Sequence, residues 1–438
     1  MVEYRSGEPL SSLGISLLAR PTYGTMTDQS VSLVGALSKE VQVTALTTEQ
    51  ELFAETVFDI ACDKILPLVS RMEDDDRVPP ELADLYRRMG WLALLVPERF
   101  GGSEAGVIEW TLMVEQLARV SLAAVQVLES MGPIILLRYF GTEEQQARLY
   151  PRIIESTGCF AATEPEAGSD IASIRTTAVD KGGYFVVNGR KQFIGNAGES
   201  GVIALLVTVD SRSKTKGLRI LMVERNEAAG LSITREERKM GLRGASLAEI
   251  TLDDVEVPAS NLIAGDRAFQ AIQVLFDMGR PSAAGQAVGV ARAATDYAIN
   301  YALGRHQFGR PVFDFQGVSF TLANMAMNVE AARELTYAAA AEVDRDGPRR
   351  TELSSMAKAF ATDVAMSVTT DAVQCLGAAG YTKDHPVERM MRDAKALQIF
   401  VGTNQVQRMI VARELRQRAT SASTRGGAMK GVDVSPET

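Results

Sequence analysis

A chain of 438 residues, 46% of them hydrophobic, exceeds one ordinary core, so two or three globular domains are expected. A formal net charge of −9 leaves no basic footprint for nucleic acid or an anionic membrane, and no apolar run approaches the roughly 20 residues of a spanning helix. Nucleic-acid and membrane partners are thereby excluded, and a soluble acidic protein is expected.

Residues 1–45 mix Ser, Gly and Thr with charges of both signs and lack the parts of a signal peptide, so a flexible extension is expected there. A helical domain is predicted over 46–159. In "TTEQELFAETVFDIA", Thr48 and Glu51 have capping-box spacing, and Phe53, Val57, Ile60 and Ala61 follow helical periodicity. Further helices are read in "PPELADLYRRMGWL", "EWTLMVEQLARVS" and "EEQQARLYPRII".

Over 160–262 the pattern changes to short β-rich runs such as "GYFVVNGRKQFI", "VIALLVTVD" and "LAEITLDDVEVP", which predict a compact β domain. Asn188-Gly189 signals a two-residue hairpin, because both residues tolerate positive φ. Over 263–417 long helical patterns return, and Ala283, Ala284, Ala287, Gly289, Ala291 and Ala294 allow helices to approach closely. Residues 418–438 are small and polar, and a disordered tail is expected.

The three cysteines, Cys62, Cys159 and Cys375, lie far apart without CxxC spacing, which suits a reducing cytoplasm rather than a zinc knuckle or disulfide framework. With only His306 and His385 as histidines, a multi-histidine metal site or a Ser-His-Asp relay has little to be made from, so no metal is expected. A cofactor is the natural source of chemistry. In "FAATEPEAGSDIASIRT", Thr163, Glu164 and Pro165 lead into Gly168-Ser169-Asp170. That turn could hold a phosphate or ring carbonyls, or could merely cap the segment that follows.

With "TEPEAGSD" at the start of the β region come "KQFIGNAG", "GRHQFGRPVFDFQG", "VQCLGAAGYTKDHPVERMMRDAK" and "GTNQVQRMIVARE". In this order and spacing, over roughly residues 47–416, the chain resembles the acyl-CoA dehydrogenase family. The resemblance implies an α+β fold: an N-terminal helical domain, a middle β-barrel or sandwich domain and a C-terminal four-helix bundle. It also implies FAD between the β domain and the bundle, with an acyl thioester against its ring. Phe160, Thr163, Ile194 and Gly195 would border the flavin, and Phe193 stands where the family usually has Trp. Ser169 would lie near the pyrophosphate or the pantetheine arm. Arg305, Gln307, Phe308, Gln316, Gln374 and Gly377 look like groups that reach FAD, some across a subunit boundary, and Thr403 and Gln405 would meet its far end. Arg280 would stand near the thioester's carrier, and Gly402 near the thioester. For Arg305 a surface ion pair, and for Phe193 and Phe308 a plain core role, are the competing readings.

In family members a Glu directly before the Gly-Thr of the last motif removes the α-proton. Here that position is Val401. A second lineage carries the Glu at the position of Gly279, so both base positions lack an ionisable group. General-base assistance is typically worth about 10² to 10⁴ in rate, so ordinary turnover should not survive an unreplaced loss. Electrostatic activation by the 401 backbone N–H does not require a Glu. The family's Thr near flavin N5 corresponds to Gly195, which opens space beside the ring. Glu129 is a speculative relocated base. Asp277, two residues before Gly279 and about 200° around the helix from it, should point away.

Four functions are compatible with these features. The leading one is α,β-dehydrogenation or reduction of an acyl thioester with a non-standard base. A non-redox lyase or cyclase reaction through an α-carbanion is the second, a flavin monooxygenase the third and a non-catalytic scaffold the fourth. Acyl-CoA or an acyl or peptidyl carrier protein would present the substrate, an electron-transfer flavoprotein is a possible partner, and a cytoplasmic homodimer or homotetramer is expected.

Overall fold

The structure, a computed structural model, describes residues 46–128 and 130–425. The extension over 1–45, the candidate base Glu129 and residues 426–438 of the expected tail lie outside the described residues.

The N-terminal region is helical: α1 (Thr48–Ile60), α2 (Val69–Asp75), α3 (Pro80–Arg88), α4 (Val107–Val120), α5 (Leu122–Val125), α6 (Met131–Phe140) and α7 (Glu143–Ser156). The capping box of α1 sits one residue earlier than the spacing of Thr48 and Glu51 predicts. Gln50 N donates to Thr47 Oγ1 (3.2 Å), and Thr47 N donates to Gln50 Oε1 (3.0 Å). "TTEQE" contains two overlapping boxes, and the earlier one leaves Gln50 Nε2 to donate to Glu109 Oε1 (2.7 Å), which ties α1 to α4. Leu122–Phe140 has the length and hydropathy of a short membrane span after all, but 88% of it is buried, as in a core helix of a folded domain.

The middle region forms an eight-stranded sheet: β1 (Gly158–Ala161), β2 (Thr177–Asp180), β3 (Tyr184–Gly195), β4 (Val202–Thr208), β5 (Leu218–Glu224), β6 (Leu231–Glu236), β7 (Leu247–Pro258) and β8 (Leu262–Ile263). The order is β6-β7-β3-β2-β4-β5-β8, with β1 parallel to β4. The unbroken apolar run of β4 is explained by burial on both faces. Val202, Ala204 and Leu206 join the large core shared with the helices, while Ile203, Leu205 and Val207 join the sheet's own core.

Asn188-Gly189 makes no hairpin. Both residues lie inside β3, at a bulge against β7, where the Asn188 side chain exchanges two hydrogen bonds with Asp254. Gly189 is needed because a Cβ there would lie 2.7 Å from Thr176 Cα. The β2–β3 reversal falls at Lys181–Gly183 instead, closed by Lys181 N donating to Tyr184 O (2.9 Å).

The C-terminal region contains four long helices, α8 (Ala268–Gly304), α9 (Gln316–Asp344), α10 (Arg350–Leu376) and α12 (Asn404–Arg425), and the shorter α11 (Val387–Leu397). A two-stranded hairpin, His306–Gln307 with Arg310–Pro311, links α8 to α9. Helix α12 runs through Arg425, so the disordered tail predicted from 418 begins too early. Arg418 finds a buried partner in Glu352 (2.9 Å), and the small residues that follow are compatible with helix.

The small residues of α8 do let α4 approach: a Cβ on Gly289 would lie 2.2 Å from Glu115 O, and one on Gly285 would lie 2.8 Å from Thr111 Cγ2. Gly289→Ala is therefore expected to cost about 1–3 kcal/mol, because backbone rather than a flexible side chain would have to move. Chemical denaturation measures this, and an unchanged midpoint would contradict the packing described.

Candidate active site

Two neighbouring glycine-like backbone conformations shape the last motif. Val401 has φ 54° and Gly402 has φ 82°, and the left-handed region is strained for a β-branched residue such as Val. The turn is held from beneath. Gln407 Nε2 donates to Val401 O (3.0 Å) and Gly402 O (2.9 Å), and Lys358 Nζ donates to Gly402 O (2.8 Å) and to Asn404 Oδ1 (2.9 Å). With its carbonyls drawn inward, the turn leaves the Val401 N–H without an acceptor among the described residues. A backbone donor of this kind, fixed before any ligand arrives, is what a developing oxyanion requires.

Across from the turn stands Gly279 on α8. A Cβ built there would meet one neighbour within 4 Å, Val401 Cγ1 at 3.6 Å. The two base positions of the family thus face one point in space, and neither carries an ionisable group. Both line a cavity of about 110 Å³ between α4, α6, β1 and α8, walled by Val114, Leu128, Phe160, Phe276 and Phe400. Among the described residues, no ionisable side chain lines it.

Asp277 points elsewhere, as the helical angle predicts. It accepts from Arg280 Nη1 (2.7 Å) and Thr351 Oγ1 (2.7 Å), and burial raises its carboxyl above the ordinary range despite Arg280. Arg280 is buried in this pair and does not line the cavity.

On the sheet side, Glu164 is a strut. It accepts from the backbone N–H groups of Arg175 (2.6 Å) and Thr176 (3.0 Å), and from Lys191 Nζ (2.7 Å), which also donates to Ala162 O (3.1 Å). Burial works to raise the Glu164 carboxyl, but Lys191 and the donors outweigh it and hold it below the usual range; burial pushes Lys191 down to about 8. The strut fixes the loop carrying Thr163, whose carbonyl accepts from Gln192 N (2.8 Å). Next to it a register shift between Lys191 and Ile194 turns Phe193 outward at φ 58°, where it is 54% exposed. Phe193 is therefore no core aromatic. Ile194 is the opposite case: its side chain is buried in the sheet's core, so only its backbone could meet a cofactor. Gly195 ends β3, and Ser169 and Asp170 are exposed, with Asp170 accepting from Ser173 Oγ (2.5 Å).

The remaining candidates lie apart from the cavity. Arg305, Gln307 and Phe308 are exposed on the hairpin, with Phe308 93% exposed at φ 52°, and Gln316, Gln374 and Gly377 are exposed as well. Arg305 makes no ion pair among the described residues, so the surface-pair reading fails. Thr403 and Gln405 border a separate cleft at the start of α12 that also involves Lys395, Arg408 and Asp363.

An exposed aromatic on the sheet, a braced neighbouring loop, and a free backbone donor at the rim of an uncharged cavity are features that fit a planar cofactor. Sequence reasoning missed Lys358, Gln407 and the Glu164–Lys191 strut. The signal for Lys358 was a lysine flanked by Ala357 and Ala359 inside "SSMAKAFATDV".

Burial, together with Arg280, pushes the Lys358 amine down to about 7 while Asp363 opposes the shift. A folded-state value below the ordinary lysine value of 10.5 makes charging Lys358 a cost of folding that is full below about pH 7. As pH rises from there towards 10.5 that cost disappears, so wild type should gain stability relative to Lys358→Met. Parallel denaturation curves of the two proteins across this window would contradict the assignment.

Three stretches match the N-terminal, middle and C-terminal domains of acyl-CoA dehydrogenase, over residues 47–157, 159–255 and 266–416. Cyclohex-1-ene-1-carbonyl-CoA dehydrogenase of Geobacter metallireducens is 41% identical over 379 residues, covering 84% of this chain and 98% of that protein. Among solved structures, butyryl-CoA dehydrogenase of Megasphaera elsdenii has a TM-score of 0.81 at 34% identity, covering 85% of this chain and 99% of its own. The prolyl acyl carrier protein oxidase AnaB has a TM-score of 0.81 at 26% identity, covering 85% and 100%. Fold and site thus define an enzyme of the flavoprotein oxidoreductase class. The chain belongs to the acyl-CoA dehydrogenase family.

Proposed function

We propose that this chain is a FAD-dependent enzyme that removes hydrogen across the α,β-bond of an acyl thioester without a resident carboxylate base. The observation that carries this reading is that Gly279 faces Val401, whose Cγ1 would lie 3.6 Å from a Cβ at 279, so that two facing base positions cannot ionise beside an unpartnered Val401 N–H. FAD, when bound, supplies the two-electron acceptor. Thr163, Phe193 and the backbone of Ile194 and Gly195 would hold its ring side, with Thr403 and Gln405 towards its far end.

The residues of the chain itself then orient and polarise the substrate. The Val401 N–H holds the thioester oxygen, and Gln407 and Lys358 keep that donor aimed. Since no described side chain of the cavity accepts the α-proton, that proton would pass to water, so the site suits thioesters whose α-hydrogen is already acidic. Exposed Arg305, Gln307 and Phe308 have no use in a lone chain, which supports a homo-oligomer in which they serve a neighbour's cofactor. The likeness to a carrier protein oxidase makes a carrier-bound thioester as reasonable a substrate as acyl-CoA. A second reading, α-carbanion chemistry without net oxidation, draws on the same absence of a base.

The purified protein is expected to carry yellow flavin. Acyl thioesters added without oxygen distinguish the readings: bleaching supports dehydrogenation, product without bleaching supports the carbanion reading, and reaction only with reduced flavin and oxygen supports a monooxygenase.

A further inference from the structure

The walls of the cavity are not uniformly apolar. On α8, Ser282 and Gln286 follow Gly279 at positions i+3 and i+7, so the three share one helical face. At 1.5 Å rise per residue they lie about 4.5 and 10.5 Å further along the axis than the base position. Both line the cavity.

Each accepts a hydrogen bond from a donor in the N-terminal helical region. Trp110 Nε1 donates to Ser282 Oγ (2.9 Å), and Gln126 Nε2 donates to Gln286 Oε1 (2.8 Å). Indole N–H can only donate, so Ser282 Oγ is the acceptor of that bond and its own hydrogen stays available. With Gln286 Oε1 occupied by Gln126, the Gln286 NH₂ is the free end of that amide. It has no acceptor among the described residues, nor has the Ser282 hydroxyl hydrogen. On two buried residues, donors with no acceptor among the described residues therefore border one cavity.

A buried donor left unpaired is costly, and a site that supplies one discriminates strongly against ligands with no matching acceptor. A carboxylate at this depth would lack a counter-cation, and an ammonium would lack a counter-anion, because no described ionisable side chain lines the cavity. We infer that the acyl pocket selects an acyl group bearing a neutral oxygen acceptor, a keto or hydroxyl oxygen, beyond its β-carbon, received by Ser282 and Gln286. This rests on the acyl-thioester reading of the same site and goes beyond it by naming the substrate class.

The test uses the flavin-loaded protein, with the shift of its visible absorption band as the readout of binding. Levulinyl-CoA and its next keto homologue are titrated beside valeryl-CoA and hexanoyl-CoA, which match them in chain length. The keto ligand of at least one pair should bind about tenfold tighter or better. In Ser282→Ala with Gln286→Leu, the preference should shrink to within about twofold. The wild-type comparison stands alone if the double variant fails to hold flavin. Equal binding within both pairs, or a preference that survives in the variant, overturns the inference and leaves the thioester reading intact. No band shift with any of the four overturns that reading and the inference together.

Discussion

Val401→Glu is expected to raise the oxidation of an unactivated alkanoyl-CoA by about 10² to 10⁴-fold, the usual worth of a positioned general base. Three observations support so large an effect. The position has φ 54°, a conformation that strains a β-branched Val more than an unbranched Glu, so the exchange should not disturb the turn. A side chain here points at the space beside Gly279, inside the cavity, as the 3.6 Å approach of Val401 Cγ1 shows. The Val401 N–H is already free to receive the oxygen of the same thioester. Gly279→Glu should give a gain of the same sign, since its Cβ has room and faces the same point. The double variant should gain less than either single change, because two carboxylates at close range cannot both ionise easily. Steady-state assay with an artificial electron acceptor measures all three. No gain in either single variant would mean that more than the base has been remodelled.

The second large effect concerns stability. Glu115 on α4 is fully buried and accepts from Arg292 on α8 and from Arg333 Nε (3.1 Å) and Tyr337 Oη on α9, so one carboxylate joins three helices. Burial alone would raise its pKa, but Arg333, Arg292 and Tyr337 outweigh that and hold it at about 2. Glu115→Leu removes the carboxylate shared by Arg292, Arg333 and Tyr337 while these three side chains stay buried. The expected loss is about 3–5 kcal/mol, the cost of breaking a buried ion pair from one side. The same linkage fixes the pH dependence. A carboxylate whose folded pKa lies near 2 stabilises fully above its ordinary value of 4.5 and loses that contribution as pH falls through 2. The gap between wild type and Glu115→Leu should therefore be widest near neutrality and narrow in acid. Denaturation of both proteins at several pH values measures it, and a gap below about 1 kcal/mol at neutral pH would deny the cluster its role.

Much of this was legible in the sequence because it rests on residue order. The helical, sheet and helical regions follow from the switch in apolar periodicity, and Val401 and Gly279 are readable as non-ionisable once the motifs around them are aligned. What was not legible depends on pairings between distant positions. Asn188-Gly189 fits a hairpin as well as a bulge, and the partner that decides between them, Asp254, lies on another strand. Lys358 reads as one more helical lysine until the turn at Gly402 is brought against it. The donor character of the acyl pocket is hidden for the same reason: Trp110 and Gln126 orient Ser282 and Gln286 from a different domain.

The most direct test of the central claim, a thioester-activating crevice without a base of its own, is an anaerobic titration of the flavin-loaded wild type and Val401→Glu with a saturated alkanoyl-CoA. The account predicts that the visible flavin band shifts on binding in both proteins but bleaches promptly only in the variant. Prompt bleaching of the wild type by that unactivated thioester would contradict it.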